Sequence, residues 1–275
     1  MQRDLTRRTT FNKVARLYAE MRPGYPEALI EEVISLSGIP PGGRILEVGC
    51  GPGQATLPFA RRGYRMLCLD IGTDLIAVAA EKCRPYPRVE FRVTAFEDWP
   101  AEPNAFDLVI SASAFHWVPP EIGYPKVASV LKPGGAFAIL RNEHPRPYTG
   151  FHEAAQEVYQ RCAPELAETA ERKHRGTSRQ EIEDSLRQTG AFGEVTMRQY
   201  PWSRQFTADR YLRLLDTYSN HYTLEAEKKR CLYEGIRALI EQFGGTITRP
   251  WVSVLYLARK RDNTAPSGNQ PRLGR

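Results

Sequence analysis

Long apolar runs are missing from this chain of 275 residues. Ile76-Ala77-Val78-Ala79-Ala80 is typical of the longest, far short of the ~20 residues a membrane-crossing helix needs. The opening residues, MQRDLTRRTTFNKVARLY, lack the apolar core of a secretory signal. Cysteine is scarce as well. The five at positions 50, 68, 83, 162 and 231 are scattered, none in CxxC spacing and none grouped with histidine, so no metal site is expected. An odd, dispersed set fits a reducing compartment, with Cys68 and Cys231 as ordinary core residues. The expectation is a soluble, cytoplasmic protein that does not enter a membrane.

One-sided charge is lacking where it would matter. The formal net charge is +6. Residues 259–275 hold five cations against Asp262, +4, and residues 1–8 hold three against Asp4, +2, so the body between them is neutral. A nucleic-acid binder needs a basic face on the folded body to neutralise phosphates, which argues against that class of partner. The composition is 41% hydrophobic and 25% charged, which suits one large domain, or one domain with a lid, that can bury a core without disulfides or structural metals.

Strand and helix patterns alternate. FNKVARLYAEM carries apolar residues at helical spacing, and PEALIEEVISLSG opens on Pro26 and stops at Gly38. Arg44–Val48, Met66–Leu69, Val89–Val93, Phe106–Ile110 and Ala136–Leu140 read as strands, separated by helical segments such as TDLIAVAAEKC. That order predicts a doubly wound, Rossmann-like α/β fold with a mostly parallel sheet. Helical material over 143–193 and 207–243 suggests a lid, and Glu194–Tyr200 and Trp251–Ala258 read as late strands.

The most informative stretch is Ile45-Leu46-Glu47-Val48-Gly49-Cys50-Gly51-Pro52-Gly53. Glycines after a first strand let the backbone approach a ligand closely, and the helix behind them offers free N–H groups. The dinucleotide fingerprint is GxGxxG; here Gln54 stands at its third glycine position and the pattern is GxGxG. Asp70, at the end of the second strand, can accept both hydroxyls of a ribose. The pattern points to an adenosine-containing ligand without a pyrophosphate.

On these residues the chain resembles the class I S-adenosylmethionine-dependent methyltransferases. Phe106-Asp107-Leu108-Val109 and Leu131-Lys132-Pro133-Gly134-Gly135 follow in family order. Phe11, Tyr18, Arg22-Pro23 and Tyr25-Pro26, with His116-Trp117 and Leu215–Ser219, are similar to the small-molecule branch that includes trans-aconitate methyltransferase. The resemblance implies that Gly49, Cys50, Gly51 and Gly53 line the methionine part of S-adenosyl-L-methionine and that Glu47 organises the turn. It implies Asp70 on the ribose, Ile71 on the adenine, Ala95 and Phe96 at the adenine edge, and Ser111 beside the sulfonium. Tyr18 and Arg22 would close the site, Arg22 pairing with the cofactor carboxylate, and Trp117 would form pocket wall.

His116 has a suitable unperturbed pKa for a general base, should the acceptor keep its proton. The acceptor pocket is expected among residues 141–148, Trp202, Tyr218, His221 and Tyr222, with Arg141, Arg146 and Arg204 able to meet an acid. The expected activity is methyl transfer to a small molecule, an oxygen favoured, by a monomer or a homodimer. The alternatives are an RNA or protein methyltransferase, an NAD(P)-binding oxidoreductase, and a non-catalytic binding module. The expected division is N-terminal helices over 1–43 that close the cofactor site, then a core of 44–142 and 178–260. Lid insertions at 143–177 and 207–245 and a basic, disordered tail at 261–275 complete it.

Overall fold

The computed structural model describes residues 12, 14–167 and 178–262. Phe11, the end of the first expected lid insertion (168–177) and most of the expected tail lie outside them. The chain runs α1 (Ala15–Met21), α2 (Glu27–Ser37), β1 (Arg44–Val48), α3 (Thr56–Arg61), β2 (Arg65–Asp70), α4 (Thr73–Cys83), β3 (Val89–Val93) and β4 (Phe106–Ala112). A single 3-10 turn, Phe115–Trp117, precedes α5 (Pro120–Val130) and β5 (Leu131–Glu143). Then come α6 (Phe151–Cys162), α7 (Arg179–Gln188), β6 (Phe192–Thr207), α8 (Ala208–Leu215), α9 (Ser219–Tyr222), α10 (Ala226–Gln242) and β7 (Thr246–Lys260).

The seven strands form one sheet in the order β3-β2-β1-β4-β5-β7-β6. Strands one to five are parallel, and β7 enters antiparallel between β5 and β6. The chain leaves β1 toward β2 on one side and returns to β4 on the other. A crevice therefore opens beyond the carboxyl ends of β1 and β4, the switch point where such sheets bind ligands. The central strands are near-continuous apolar runs because helices cover both faces. Leu46, Val109 and Phe137 pack on one face with α5 and α7, and Ile45, Met66 and Ile110 pack on the other with α2 and α3.

Helix α2 buries Leu29, Ile30 and Val33 at helical spacing and ends at Gly38, whose left-handed φ of 62° closes the helix. It belongs to the layer covering the sheet. α1 is separate from that layer and packs on α4 and α8. Asp107, in the second conserved-looking motif, sits at the far end of the sheet: it accepts the Arg44 N–H at 2.8 Å and pairs with Lys132 at 2.7 Å.

Strands β6 and β7 are much longer than their sequence signal. Past the sheet they carry a third apolar cluster in which Phe206, Ile247 and Trp251 meet α6, α8 and α10. The helical stretch expected over 207–243 breaks after Leu215, where Thr217 Oγ1 donates to the Leu214 carbonyl at 2.6 Å. Cys162 at the end of α6 is disulfide-bonded to Cys231 on α10, 69 residues away. This corrects the reading of Cys231 as a core residue: it is exposed on α10, facing the end of α6. Cys50, Cys68 and Cys83 are free and buried.

Candidate active site

A cavity of about 950 Å³ occupies the switch-point crevice. Its floor is the turn after β1. Gly49 and Cys50 donate their N–H groups to the Leu69 carbonyl at 2.9 and 3.0 Å, drawing the turn over β2. Gly49 has φ 71°, and a Cβ there would lie 2.4 Å from the Cβ of Ala114. Gly51, at φ 52°, faces open space: a Cβ would meet only the Gln54 amide oxygen, at 4.0 Å.

Asp70 ties two loops together. Its Oδ2 accepts the Gly51 N–H and its Oδ1 the Gly72 N–H, each at 2.8 Å. Each carboxylate oxygen has a second lone pair, so the group can still accept ligand hydroxyls. Ile71, Ala95 and Phe96 continue the wall, and Tyr18, Arg22, His116 and Trp117 face them. The Arg22 guanidinium lies 3.8 Å from the Tyr218 ring centroid and donates to the Thr217 carbonyl at 3.0 Å, while its buried Nε has no partner. Nε2 of Gln54 is likewise buried on this wall without a partner. Buried donors cost free energy unless a partner arrives, so both fit a polar ligand in the cavity. Burial pushes the Cys50 thiol well above its ordinary pKa, so it is a neutral wall group.

Three of the expected cofactor residues are not on the cavity wall. Gly53 turns its open side to Ala79 of α4, where a Cβ would sit 3.4 Å from the alanine Cβ. It permits close helix packing, and Gln54 takes the wall position instead. Ser111 is fully buried and donates to the Val48 carbonyl at 2.7 Å, tying β4 to β1. The serine at the cavity is Ser113, at φ 56°, whose hydroxyl is 3.0 Å from that of Tyr25. Glu47 lies beneath the turn with no exposed surface. Its Oε2 accepts the Thr56 hydroxyl at 2.6 Å, anchoring α3, and burial pushes its carboxyl up to about 8.

On the acceptor side, Arg141, Asn142, Glu143, His144, Arg146 and Tyr218 line the cavity, whereas Trp202, Arg204, His221 and Tyr222 do not. Trp202 stacks on Trp251 at 4.8 Å, and Arg204 lies over the Phe206 ring. His221 is buried with its Nε2 2.8 Å from the Tyr159 hydroxyl, and Tyr222 is exposed. Sequence reasoning missed Gln54, Ser113 and Trp251. Only Gln54 carried a signal, as the residue standing where a dinucleotide turn has its third glycine. Among the described residues no cluster suited to a metal ion occurs, and no helix is long and apolar enough to cross a membrane.

Residues 45–135 match a family model described as a methyltransferase domain. The chain is 29% identical over 133 residues to an uncharacterized methyltransferase of Mycobacterium tuberculosis, covering 48% of this chain and 52% of that protein. It is 37% identical over 102 residues to a ubiquinone biosynthesis O-methyltransferase of Xanthomonas campestris pv. campestris, covering 36% of this chain and 43% of the relative. It thus spans about half the length of the first curated relatives it matches. Phosphoethanolamine N-methyltransferase 2 of Haemonchus contortus, solved with S-adenosyl-L-methionine, has the same fold at a TM-score of 0.57. The identity is 19%, over 94% of this chain and 60% of that one. The matched segment runs from β1 to the start of β5, and the solved methyltransferase shares its fold with this chain.

Proposed function

We propose that the protein uses S-adenosylmethionine to methylate a small molecule, at an oxygen of a carboxylate or hydroxyl. The observation that carries this reading is the single cavity in which the Gly49–Gly51 turn, Asp70–Ile71 and Ala95–Phe96 meet Tyr18 and Arg22. The wall suits the parts of that cofactor in order. Gly51 leaves room for the methionine moiety, Arg22 meets its carboxylate, Asp70 takes the ribose hydroxyls on its remaining lone pairs, and Phe96 borders the adenine. When bound, the cofactor supplies an electrophilic sulfonium methyl group and most of the driving force.

The residues of this chain then have to align the acceptor and keep water out. Helices α1, α6 and α8 to α10 form the cover over the acceptor half. A carboxylate acceptor needs no base; for a hydroxyl acceptor His116, on the cavity wall, takes the proton. The likeness to an O-methyltransferase supports an oxygen acceptor.

Calorimetric titration with S-adenosylmethionine, S-adenosylhomocysteine and NADH tests the cofactor. Both sulfur nucleotides should bind in the micromolar range, about −8 kcal/mol, with no heat from NADH. Asp70→Ala should weaken them by about tenfold or more, because it removes the ribose acceptor and releases the Gly51 and Gly72 N–H groups together. Wild-type affinity in that variant would refute the assigned orientation.

A further inference from the structure

Behind the acceptor half of the cavity lies an arginine without a counter-ion. Arg249 is 6% exposed. Its Nη1 donates to the Tyr211 hydroxyl at 3.1 Å, and its Nη2 to the Tyr218 hydroxyl at 3.0 Å and to His144 Nε2 at 2.6 Å. The rings of Tyr211, Tyr218 and Trp251 surround the guanidinium, and its buried Nε has no partner. None of these groups is a carboxylate. His144 is held far below the ordinary histidine range, at about 2, by burial first and by Arg249 second. The Pro250 backbone beside it acts in the opposite direction and more weakly. Arg204, directly opposite Arg249 in the β6–β7 register, adds a second cation instead of a carboxylate. Among the described residues neither arginine has an ion-pair partner.

A buried, unpaired charge is among the costliest arrangements a fold can hold, and proteins keep such charges paired. Tyr218, His144 and Trp251 are the contacts of Arg249 that also line the cavity, and Tyr218 and His144 are the two that bond to it. The His144 Nε2 already accepts from Arg249. The Tyr218 oxygen accepts from Arg249 and keeps its own O–H to donate. The carboxylates on the cavity wall lie elsewhere: Asp70 is bound to Gly51 and Gly72, Glu181 caps α7 through the Ser178 N–H, and Glu143 is exposed at the rim.

We propose that the methyl acceptor is an anion whose carboxylate or phosphate is received by the Tyr218 hydroxyl, with Arg249 behind it as the fixed countercharge. This rests on the methyl-transfer reading above and narrows its acceptor to a charged one. The charge-assisted bond from Arg249 polarises the Tyr218 O–H toward the anion, and the low-dielectric surroundings leave the attraction little screened. Tyr218 also stacks on Arg22, so the acceptor anion and the cofactor end of the cavity are held through one side chain.

The test uses the full chain saturated with S-adenosylhomocysteine. It is titrated calorimetrically with succinate, phenylacetate and glycerol 3-phosphate, each against its neutral counterpart (succinamide, phenylacetamide, glycerol). At least one anion should bind while its counterpart does not, and the carboxylate and phosphate arms identify which group is read. Arg249→Met and Tyr218→Phe should each weaken that anion by about tenfold or more, while Arg249→Lys should retain most of the affinity. Should Arg249→Met fail to fold, Tyr218→Phe and Arg249→Lys still decide. Neutral compounds binding as tightly as the anions, no anion binding at all, or an unchanged anion affinity in Tyr218→Phe would overturn the proposal. Failure of S-adenosylhomocysteine itself to bind would strike the cofactor reading instead, and the anion titrations would then be read on the protein alone.

Discussion

Gly49 and Asp70 show how much of the site rests on single residues. Gly49 holds a left-handed backbone with its open side against Ala114, the residue that starts the loop over the cavity. Gly49→Ala combines an unfavourable φ with a 2.4 Å Cβ contact that a backbone-borne methyl cannot relieve. The variant should lose about 2 kcal/mol or more of stability in urea denaturation. A loss below about 0.5 kcal/mol would mean that the turn is freer than its geometry. Asp70 works differently. Its two N–H contacts position the turns, so its role as ligand acceptor and its role as tie cannot be separated by truncation. Both residues were legible as chemistry, because a glycine after a strand and a carboxylate at a strand end carry local signals. The directions of Gly53, Ser111 and Glu47 were not, since each depends on a neighbour from another element: Ala79, Val48 and Thr56.

At the scale of elements, the helical layer on the ends of β6 and β7 carries its own switches. His144, His152 and His221 are all held neutral, at about 2, 4 and 4, by burial first and the Arg249 charge second. Their folded-state values lie below the ordinary 6.5, so the unfolded chain binds more protons between pH 6.5 and 4, and stability falls as the pH falls through that window. Each histidine contributes up to about 1.4 kcal/mol per pH unit there. Urea midpoints measured from pH 7 to 4.5 should therefore drop, and the drop should shrink in His221→Gln. A flat profile would contradict the buried, neutral state. The disulfide between α6 and α10 closes a long loop, so Cys231→Ser should cost about 2–4 kcal/mol under oxidising conditions and nothing under reducing ones. An equal loss in both would point to packing at Cys231, not the bond. Helix lengths within this layer followed from apolar periodicity. The break after Leu215 did not, because a capping threonine reads the same inside a helix as at its end until the next element is placed.

Over the whole molecule, the long pair β6–β7 runs through both the sheet and the helical layer, and the sheet alone has two apolar faces. That continuity predicts one cooperative unfolding transition, not two. S-adenosylhomocysteine at a hundredfold its dissociation constant should stabilise that transition by about 2.7 kcal/mol. For a chain of this size that is a rise in Tm of roughly 5 °C, read by scanning calorimetry. A second transition unmoved by the ligand would show the helical layer melting alone. The neutral body and the charged ends, legible from composition, describe the surface of the chain and not its cavity, which Arg22, Arg141 and Arg146 line and the buried Arg249 backs.

Local and periodic features were decided along the chain: alternating strands and helices, the GxGxG turn, the strand-two carboxylate, and so the doubly wound fold and the cavity wall proposed for the methyl donor. These rest on neighbours a few residues apart, whose spacing the order of amino acids states directly. Tertiary packing alone decided which side each motif residue faces, since strand side chains alternate and a one-residue change in the turn reverses them. It also placed Arg249 among aromatic rings and Cys231 against Cys162. Both outcomes depend on long strands and helices meeting far from their own sequence, and no local pattern encodes such a meeting.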